Sequence, residues 1–411
     1  MTAFWIRHRW IILICAVALL LRLAYRLGTG SEEFWSNGYR FLYEAAQNLV
    51  AGRGLTYSQP HVWSVRVPPV YPLLLAPTVL LGGHYLTIVV PQALISTGTV
   101  LCAFLIGQEL FTPRAGLIAA ALAAIYPYYV VHDTALQETG LLTFWMALSV
   151  WMLLRARVSA VPRLWLASGV MLGLSMLVRT TAAPFALGAV VWTWMFGAGS
   201  SRQRMVRALA TAACVAAIAG AWMGRNAQMT GRLTLATGTG YAFWVAHNPQ
   251  TFNHYPAGNI EVSARDAFAA LPPADWQRLM SFTDANARDD WYMARARAYL
   301  QTQSTSEKLT EAARKVLTGF SWVLTPGKPG LTQWVYFLSY TPVLLFGLAG
   351  MALTWRDWRR QSLIYLQFLI FIAVSAVMWA HTSYRSVLDV YLMIFAGTAL
   401  DRLWRVLRAQ D

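Results

Sequence analysis

Charge is scarce in this chain. Of its 411 residues only 12% are Asp, Glu, Lys or Arg, whereas 57% are hydrophobic. A soluble globular domain carries roughly twice that charged share, so a string of soluble domains is excluded as the main architecture. Cysteine is rare too: Cys15, Cys102 and Cys214 all lie inside apolar runs. They offer neither a disulfide framework nor a metal-binding spacing. Lysine is almost missing, its three copies (Lys308, Lys315 and Lys328) standing in one polar segment, so arginine carries the net charge of +15. The arginines cluster in short loops between apolar runs and form no basic stripe with interleaved aromatics, which argues against nucleic acid as a partner. No internal repeat or low-complexity tract is present.

Long apolar runs fill the space that charge leaves. A helix crosses a bilayer in about 20 residues. Runs at 10–25, 86–106, 115–131, 141–154, 164–177, 182–195, 206–222, 334–353, 363–379 and 387–403 predict an all-α polytopic membrane protein with about ten spans. The first run follows Arg7 and Arg9 with no small-residue cleavage site before Arg22, and reads as an uncleaved span. A shorter, proline-punctuated run at 71–81 reads as lying at or dipping into the membrane surface.

Positive charge in short loops marks the cytoplasmic side. With the N-terminus inside, Arg114, the Arg155–Arg163 cluster, the Arg202–Arg207 cluster, the Arg356–Arg360 cluster and Arg402, Arg405 and Arg408 all fall on that side. The loop 28–84, a short loop with His132, Asp133 and Glu138, and the segment 224–330 then lie outside. Three parts follow: a membrane module at 1–223 that includes the 28–84 loop, an extracytoplasmic segment at 224–330, and C-terminal spans at 331–411.

Ionisable groups at an apolar boundary are costly and point to function by default. On the outer face these are Glu32, Glu33, His132, Asp133, Glu138, Arg179, Arg225, His381 and Arg385. The plainer alternatives are solvated carboxylates and snorkelling arginines. As a set they suit one chemistry. Guanidinium groups match phosphate oxygens bidentately. A carboxylate takes a proton from an attacking hydroxyl, and fixed cations stabilise a phosphate leaving group. Sugar transfer from a polyprenyl-phosphate donor uses all three, although the set is not unique to it.

Several motifs sharpen this. The first outer loop reads Tyr43-Glu-Ala-Ala-Gln-Asn-Leu-Val-Ala-Gly-Arg-Gly-Leu55 and then Arg66-Val-Pro-Pro-Val-Tyr-Pro72. The later segment opens Trp222-Met-Gly-Arg-Asn226 and continues through Gly231, Gly238, Gly240 and His247-Asn-Pro249. In this order over nearly the whole chain, they resemble the GT-C fold membrane glycosyltransferases of the family 39/family 83 type, which include protein O-mannosyltransferases and the lipid A aminoarabinose transferase.

The resemblance implies a GT-C-like helical bundle with juxtamembrane helices in the first outer loop. It implies inverting sugar transfer from an undecaprenyl- or dolichyl-phosphate donor to a lipid, glycan or protein acceptor outside the cytoplasm. It assigns catalysis to an acid of the first outer loop, and Glu138 and Arg179 match a second acid and an arginine of the pattern. The first acid usually stands about four residues before the loop tyrosine, where this chain has Tyr39. Either Glu33, or less readily Glu32, replaces it through a shifted loop, or ordinary catalysis is lost and the chain is a lipid-phosphate binder or assembly partner. Arg179, Arg225 and Arg385 are candidates for the donor phosphate, and His132, Asp133 and His381 for substrate contacts. Some relatives bind a divalent metal near the acids, and the spacing here leaves that open. A lipid-linked sugar transporter or flippase is the third reading; few ionisable residues fall mid-span, Asp389 near the outer end of the last span being one exception. The excess of arginine over lysine suggests a GC-rich bacterial genome, hence a bacterial inner membrane with the site facing the periplasm.

Overall fold

The computed structural model describes residues 2–36, 38–56, 67–159, 161–255, 260–324 and 330–409, and every regular element among them is helical. Arg66 and Lys328 lie outside the described residues. The first half contains α1 (Thr2–Trp35), α2 (Arg40–Val50), α3 (Val70–Leu80), α4 (Tyr85–Leu110), α5 (Pro113–Ile125), α6 (Pro127–Asp133), α7 (Thr139–Val158), α8 (Pro162–Val178), α9 (Ala183–Phe196) and α10 (Ser201–Thr230). Five helices of the long polar segment follow: α11 (Thr239–Val245), α12 (Ile260–Ala269), α13 (Pro273–Ser281), α14 (Ala285–Thr302) and α15 (Thr305–Gly319). The chain closes with α16 (Leu331–Thr354), α17 (Trp358–Val377) and α18 (Thr382–Arg408).

Each expected span has its counterpart in the bundle formed by α1, α4, α5, α7, α8, α9, α10, α16, α17 and α18. Among the described residues five stretches are each long and apolar enough to cross a membrane: His8–Trp35, Tyr85–Leu110, Thr139–Val158, Ser201–Thr230 and Leu331–Val377, the last holding both α16 and α17. The chain is a multi-pass integral membrane protein with the all-helical bundle that the resemblance implies. α18 is its centre, packed against α16, α5, α4 and α7. From Leu388 to Ala396 no residue is more than 1% exposed. A helix buried on every side must be apolar all round, and the buried Arg385, Asp389 and Asp401 are tolerated on α18 because each has an ion-pair partner.

Small residues let the helices approach closely, as membrane bundles require. A Cβ on Gly107 of α4 would sit 2.6 Å from the Gly116 Cα of α5, and one on Gly350 of α16 would sit 2.0 Å from the Phe395 carbonyl oxygen of α18.

Two expected spans differ in detail. The run 115–131 is broken: α5 and α6 meet at a 58° bend. Pro127 lacks the N–H to continue the ladder, and Tyr126 before it is extended. The pair 164–177 and 182–195 forms two short helices of 17 and 14 residues. They part where Arg179 is extended (φ −150°, ψ 126°) and Pro184 restarts the helix.

The arginine clusters converge at one end of the bundle. Arg155 pairs with Glu109 at 3.2 Å, Arg360 bonds the Glu109 carbonyl, Arg157 donates to the Arg359 carbonyl, and Arg405 pairs with Asp401 at 2.6 Å. The opposite end carries α2, α3 and the α11–α15 segment. That segment has its own small core, in which Trp244, Leu279, Trp291 and Tyr292 are buried together. Its helices begin on strong caps. Ser304 and Glu307 form a reciprocal capping box for α15, and Asp284 accepts from two backbone N–H groups of α14.

One buried dyad ties this segment together. Lys315 of α15 donates from Nζ to His247 Nε2 at 2.8 Å, while His247 Nδ1 bonds the Phe243 carbonyl. Burial, aided by the Lys315 ammonium, pushes His247 down to about 4, and burial pulls Lys315 down to about 8. The unfolded chain therefore takes up the His247 proton first as pH falls through its ordinary value. Stability conferred by the neutral imidazole is full above pH ~6.5 and is lost as pH falls toward ~4. The expected outcome is a thermal midpoint that drops over this window, with a shallower drop in His247→Gln. Equal slopes in the two proteins would count against the dyad.

Candidate functional site

Two cavities open at the end opposite the basic cluster. The first, of about 520 Å³, is lined by Glu138, Arg179, the loop residues Ala236 to Gly238, and apolar side chains including Met146, Phe185, Ile370, Phe371 and Val374. The second, of about 600 Å³, is lined by Arg26, Glu33, His132, His381, Ser383 and aromatic rings. They share a wall of Tyr39, Ile260, Trp379 and Tyr384. Tyr39, which occupies the place of the usual family acid, therefore stands between the two.

Glu138 sits where α7 begins. Arg179, at the extended break after α8, donates from Nε and Nη2 to Glu138 Oε1 at 2.9 and 2.7 Å, and from Nη2 to the Thr139 hydroxyl at 3.2 Å. Both side chains are about 15% exposed, with Arg179 at 15% and Glu138 at 14%. The pair thus faces the first cavity from a mostly dry setting, where a charge-assisted bond is strong. The break between α8 and α9, which shortens both helices, is what delivers Arg179 to this wall.

Glu33 owes its place to a glycine. Within α1, Gly30 adopts φ 76°, a conformation that side-chain-bearing residues rarely adopt, and the helix kinks there. The kink turns the last helical turn over the second cavity. Glu33 accepts from the Tyr25 hydroxyl at 3.3 Å and keeps 54% of its side chain exposed. Glu32 is exposed and lines neither cavity. His132 packs on the Tyr128 ring, its Nδ1 2.5 Å from Gln137 Nε2. His381 caps α18, its Nδ1 accepting from the Ser383 backbone N–H.

Besides Glu32, three of the candidate site residues lie apart from these walls: Asp133, Arg385 and Arg225. Asp133 is bound by Arg22 of α1 through Nε and Nη2 at 2.9 and 2.8 Å, and both side chains are buried. Arg385 has no exposed surface and pairs with Asp389 at 2.8 Å. It also donates to the Gly319 carbonyl and the Tyr336 hydroxyl, and its guanidinium lies 3.6 Å above the Tyr340 ring. Asp389, in turn, accepts from the Tyr126 hydroxyl at 3.2 Å. Every one of these groups has its partner inside the protein, so Arg385 is a cross-link among α15, α16 and α18. Asp389 is its counter-ion, which leaves no uncompensated acid there for an ion pathway. Arg225 stacks 4.6 Å from the Trp222 ring, donates to Asn226 Oδ1, and lines neither cavity.

The Trp–Arg–Asn motif has a structural role that its sequence does not disclose. Trp222 Nε1 donates to the Leu235 carbonyl at 2.9 Å, and Asn226 Nδ2 donates to the Thr234 carbonyl at 2.8 Å. Asp289 of α14 receives the Gly240 and Tyr241 N–H groups at 3.0 Å each. These bonds fold the 231–241 loop so that Ala236 to Gly238 close one side of the first cavity.

Arg26 is the cavity residue that the sequence reading passed over. It stands one helical turn after Arg22, and that spacing of two arginines at the end of an apolar run was its signal. Among the described residues no three His, Cys, Asp or Glu side chains converge as a metal site needs. The carboxylates on the cavity walls are Glu138 in the first and Glu33 in the second, the latter with His132 and His381 on the same wall.

Comparison with known proteins bears on the fold and on one stretch of the chain. Residues 66–223 match the dolichyl-phosphate-mannose-protein mannosyltransferase family. No curated protein matches the chain in sequence. The structure is similar to the oligosaccharyltransferase of Archaeoglobus fulgidus in its apo form, with a TM-score of 0.60 at 16% identity over 98% of this chain and 52% of that one. The same protein tethered to an acceptor peptide gives 0.59 at 14% identity over 99% and 51%. The chain thus spans about half the length of the oligosaccharyltransferase it matches. ArnT from Cupriavidus metallidurans bound to undecaprenyl phosphate gives 0.42 at 14% identity over 96% and 78%.

Proposed function

We propose that the chain is a membrane glycosyltransferase that moves a sugar from a polyprenyl-phosphate donor to an acceptor hydroxyl, with inversion, at the cell-exterior face of the membrane. The observation that carries this reading is the pair of adjoining cavities. One joins an apolar wall to an ion-paired arginine, and the other presents a carboxylate beside hydrogen-bonding groups. An isoprenoid tail suits the first wall, formed by Met146, Phe185, Ile370, Phe371 and Val374. Arg179, held by Glu138, would meet the donor phosphate and stabilise the charge that grows on it as the glycosidic bond breaks. Glu33, in the second cavity, would take the proton of the acceptor hydroxyl as that oxygen bonds the anomeric carbon. The polyprenyl phosphate then leaves with both electrons of the broken bond. Tyr39, Trp379 and Tyr384 stand where the sugar ring would pass between donor and acceptor. The segment 224–330 would cover the cleft and select the acceptor, and a bacterial inner membrane with the site toward the periplasm suits this arrangement.

The test is direct. Purified protein is given polyprenyl-phosphate-linked sugars and an extract of envelope acceptors, and free polyprenyl phosphate is followed. Release that depends on the acceptor supports transfer. Movement of intact lipid-linked sugar across proteoliposomes without cleavage would instead favour transport, and binding of polyprenyl phosphate with neither outcome would favour a non-catalytic role.

A further inference from the structure

Among the described residues Arg26 has one carboxylate near it, that of Glu33, and no hydrogen bond joins the two. Its side chain is 2% exposed, and neither Nε nor Nη1 has a hydrogen-bond partner among the described residues. The nearest carboxylate oxygen, Glu33 Oε1, is 3.8 Å from Nη1, beyond hydrogen-bond reach. The guanidinium sits beside the rings of Tyr25 and Phe34, 5.5 and 5.7 Å from their centroids, and it lines the second cavity. Arg22, one turn earlier on the same helix, differs in bonding a carboxylate directly, its Nε donating to Asp133 Oδ2 at 2.9 Å. A buried guanidinium without a bonded counter-ion is unfavourable unless a ligand completes it.

We infer that Arg26 completes its bonds with an anionic group on the acceptor, so that the acceptor substrate is a hydroxyl compound carrying a phosphate or carboxylate close to the hydroxyl it presents. This rests on the transferase reading above and names the substrate class of the same site. The donor phosphate is the other anion that could reach Arg26, and geometry argues against it. In an inverting displacement the attacking oxygen and the leaving phosphate lie on opposite faces of the sugar. Arg26 stands beside Glu33, on the side of the base, while Arg179 and the apolar wall are in the other cavity. An anion on Arg26 therefore arrives with the nucleophile. Arginine suits the task because its planar fork pairs with either anion through two parallel bonds.

The experiment measures binding without turnover. Full-length detergent-solubilised protein, with no donor present, is titrated with glycerol 3-phosphate against glycerol, and with glucuronate against glucose. Nanodiscs of phosphatidylglycerol, against phosphatidylcholine, then compete for the same site, which separates a lipid-borne anion from a free one. The expected result is at least tenfold tighter binding of one anionic member than of its neutral counterpart. That preference should be lost in Arg26→Gln and partly kept in Arg26→Lys, each variant first shown to be monodisperse. Should Arg26→Gln fail to fold, Arg26→Lys against wild type carries the comparison, with weaker anion binding expected. Equal binding of charged and neutral members, or an anion preference untouched by either variant, would overturn the inference. Transfer to a neutral acceptor by protein that shows no anion preference would leave the transferase reading standing and this one fallen. Arg26-dependent anion binding in a protein that transfers no sugar would do the reverse.

Discussion

Replacing Glu33 with Gln is expected to lower kcat by about 10²- to 10⁴-fold, the usual worth of a general base, while KM for the donor changes little. The amide keeps the size of the carboxylate and can still accept from the Tyr25 hydroxyl, which bonds Glu33 at 3.3 Å in the native protein. What it loses is the ability to take a proton. Glu32→Gln is the matched control, because Glu32 points to solvent and lines neither cavity. Its turnover should stay near wild type. Initial rates of acceptor-dependent polyprenyl phosphate release, measured for both variants, check this. Comparable losses in the two would mean that the kink at Gly30 does not select Glu33. No loss in Glu33→Gln would remove this residue from the chemistry.

The second large effect is on stability. Asp389→Ala strands Arg385, which has no exposed surface, without its carboxylate at the heart of the bundle. Leaving one member of a buried pair uncompensated costs about 3–5 kcal/mol. The loss should appear as a large drop in the thermal midpoint of the detergent-solubilised protein. Removing both charges together, as Arg385→Met with Asp389→Leu, should restore most of it, because an apolar pair of similar volume needs no partner. Failure of the double variant to recover would point to the other bonds of the cross-link. These are the ones from Arg385 to Gly319 and Tyr336 and from Tyr126 to Asp389.

The sequence discloses the bundle more fully than the site, for a physical reason. A membrane span announces itself by composition over some twenty residues, and nine of the ten apolar runs each fall on one helix of the bundle, the run 115–131 falling on the bent pair α5 and α6. The proline at 127 was visible, but not that it would split a span, since prolines inside α3, α4 and α16 do not. Site geometry depends on pairings across long separations. Glu138 and Arg179 are 41 residues apart, and Arg22 and Asp133 are 111 apart. No local pattern predicts which arginine meets which acid. The pair Arg385 and Asp389 was the exception: four residues apart on one helix, they are neighbours by helical geometry. Trp222 and Asn226 stood out as a motif, yet their work is to hold a loop, and carbonyl partners leave no trace in side-chain identity.

Transfer by this route requires a lipid phosphate at Arg179 with its isoprenoid tail along α9 and α17. The most direct measurement is an experimental structure of the protein bound to polyprenyl phosphate in nanodiscs. The phosphate is expected within hydrogen-bond reach of Arg179, on the side of the shared Tyr39 and Tyr384 wall away from Glu33, with the tail against Phe185 and Phe371. A phosphate bound instead beside Arg225, or a lipid lying wholly outside the first cavity, would contradict it.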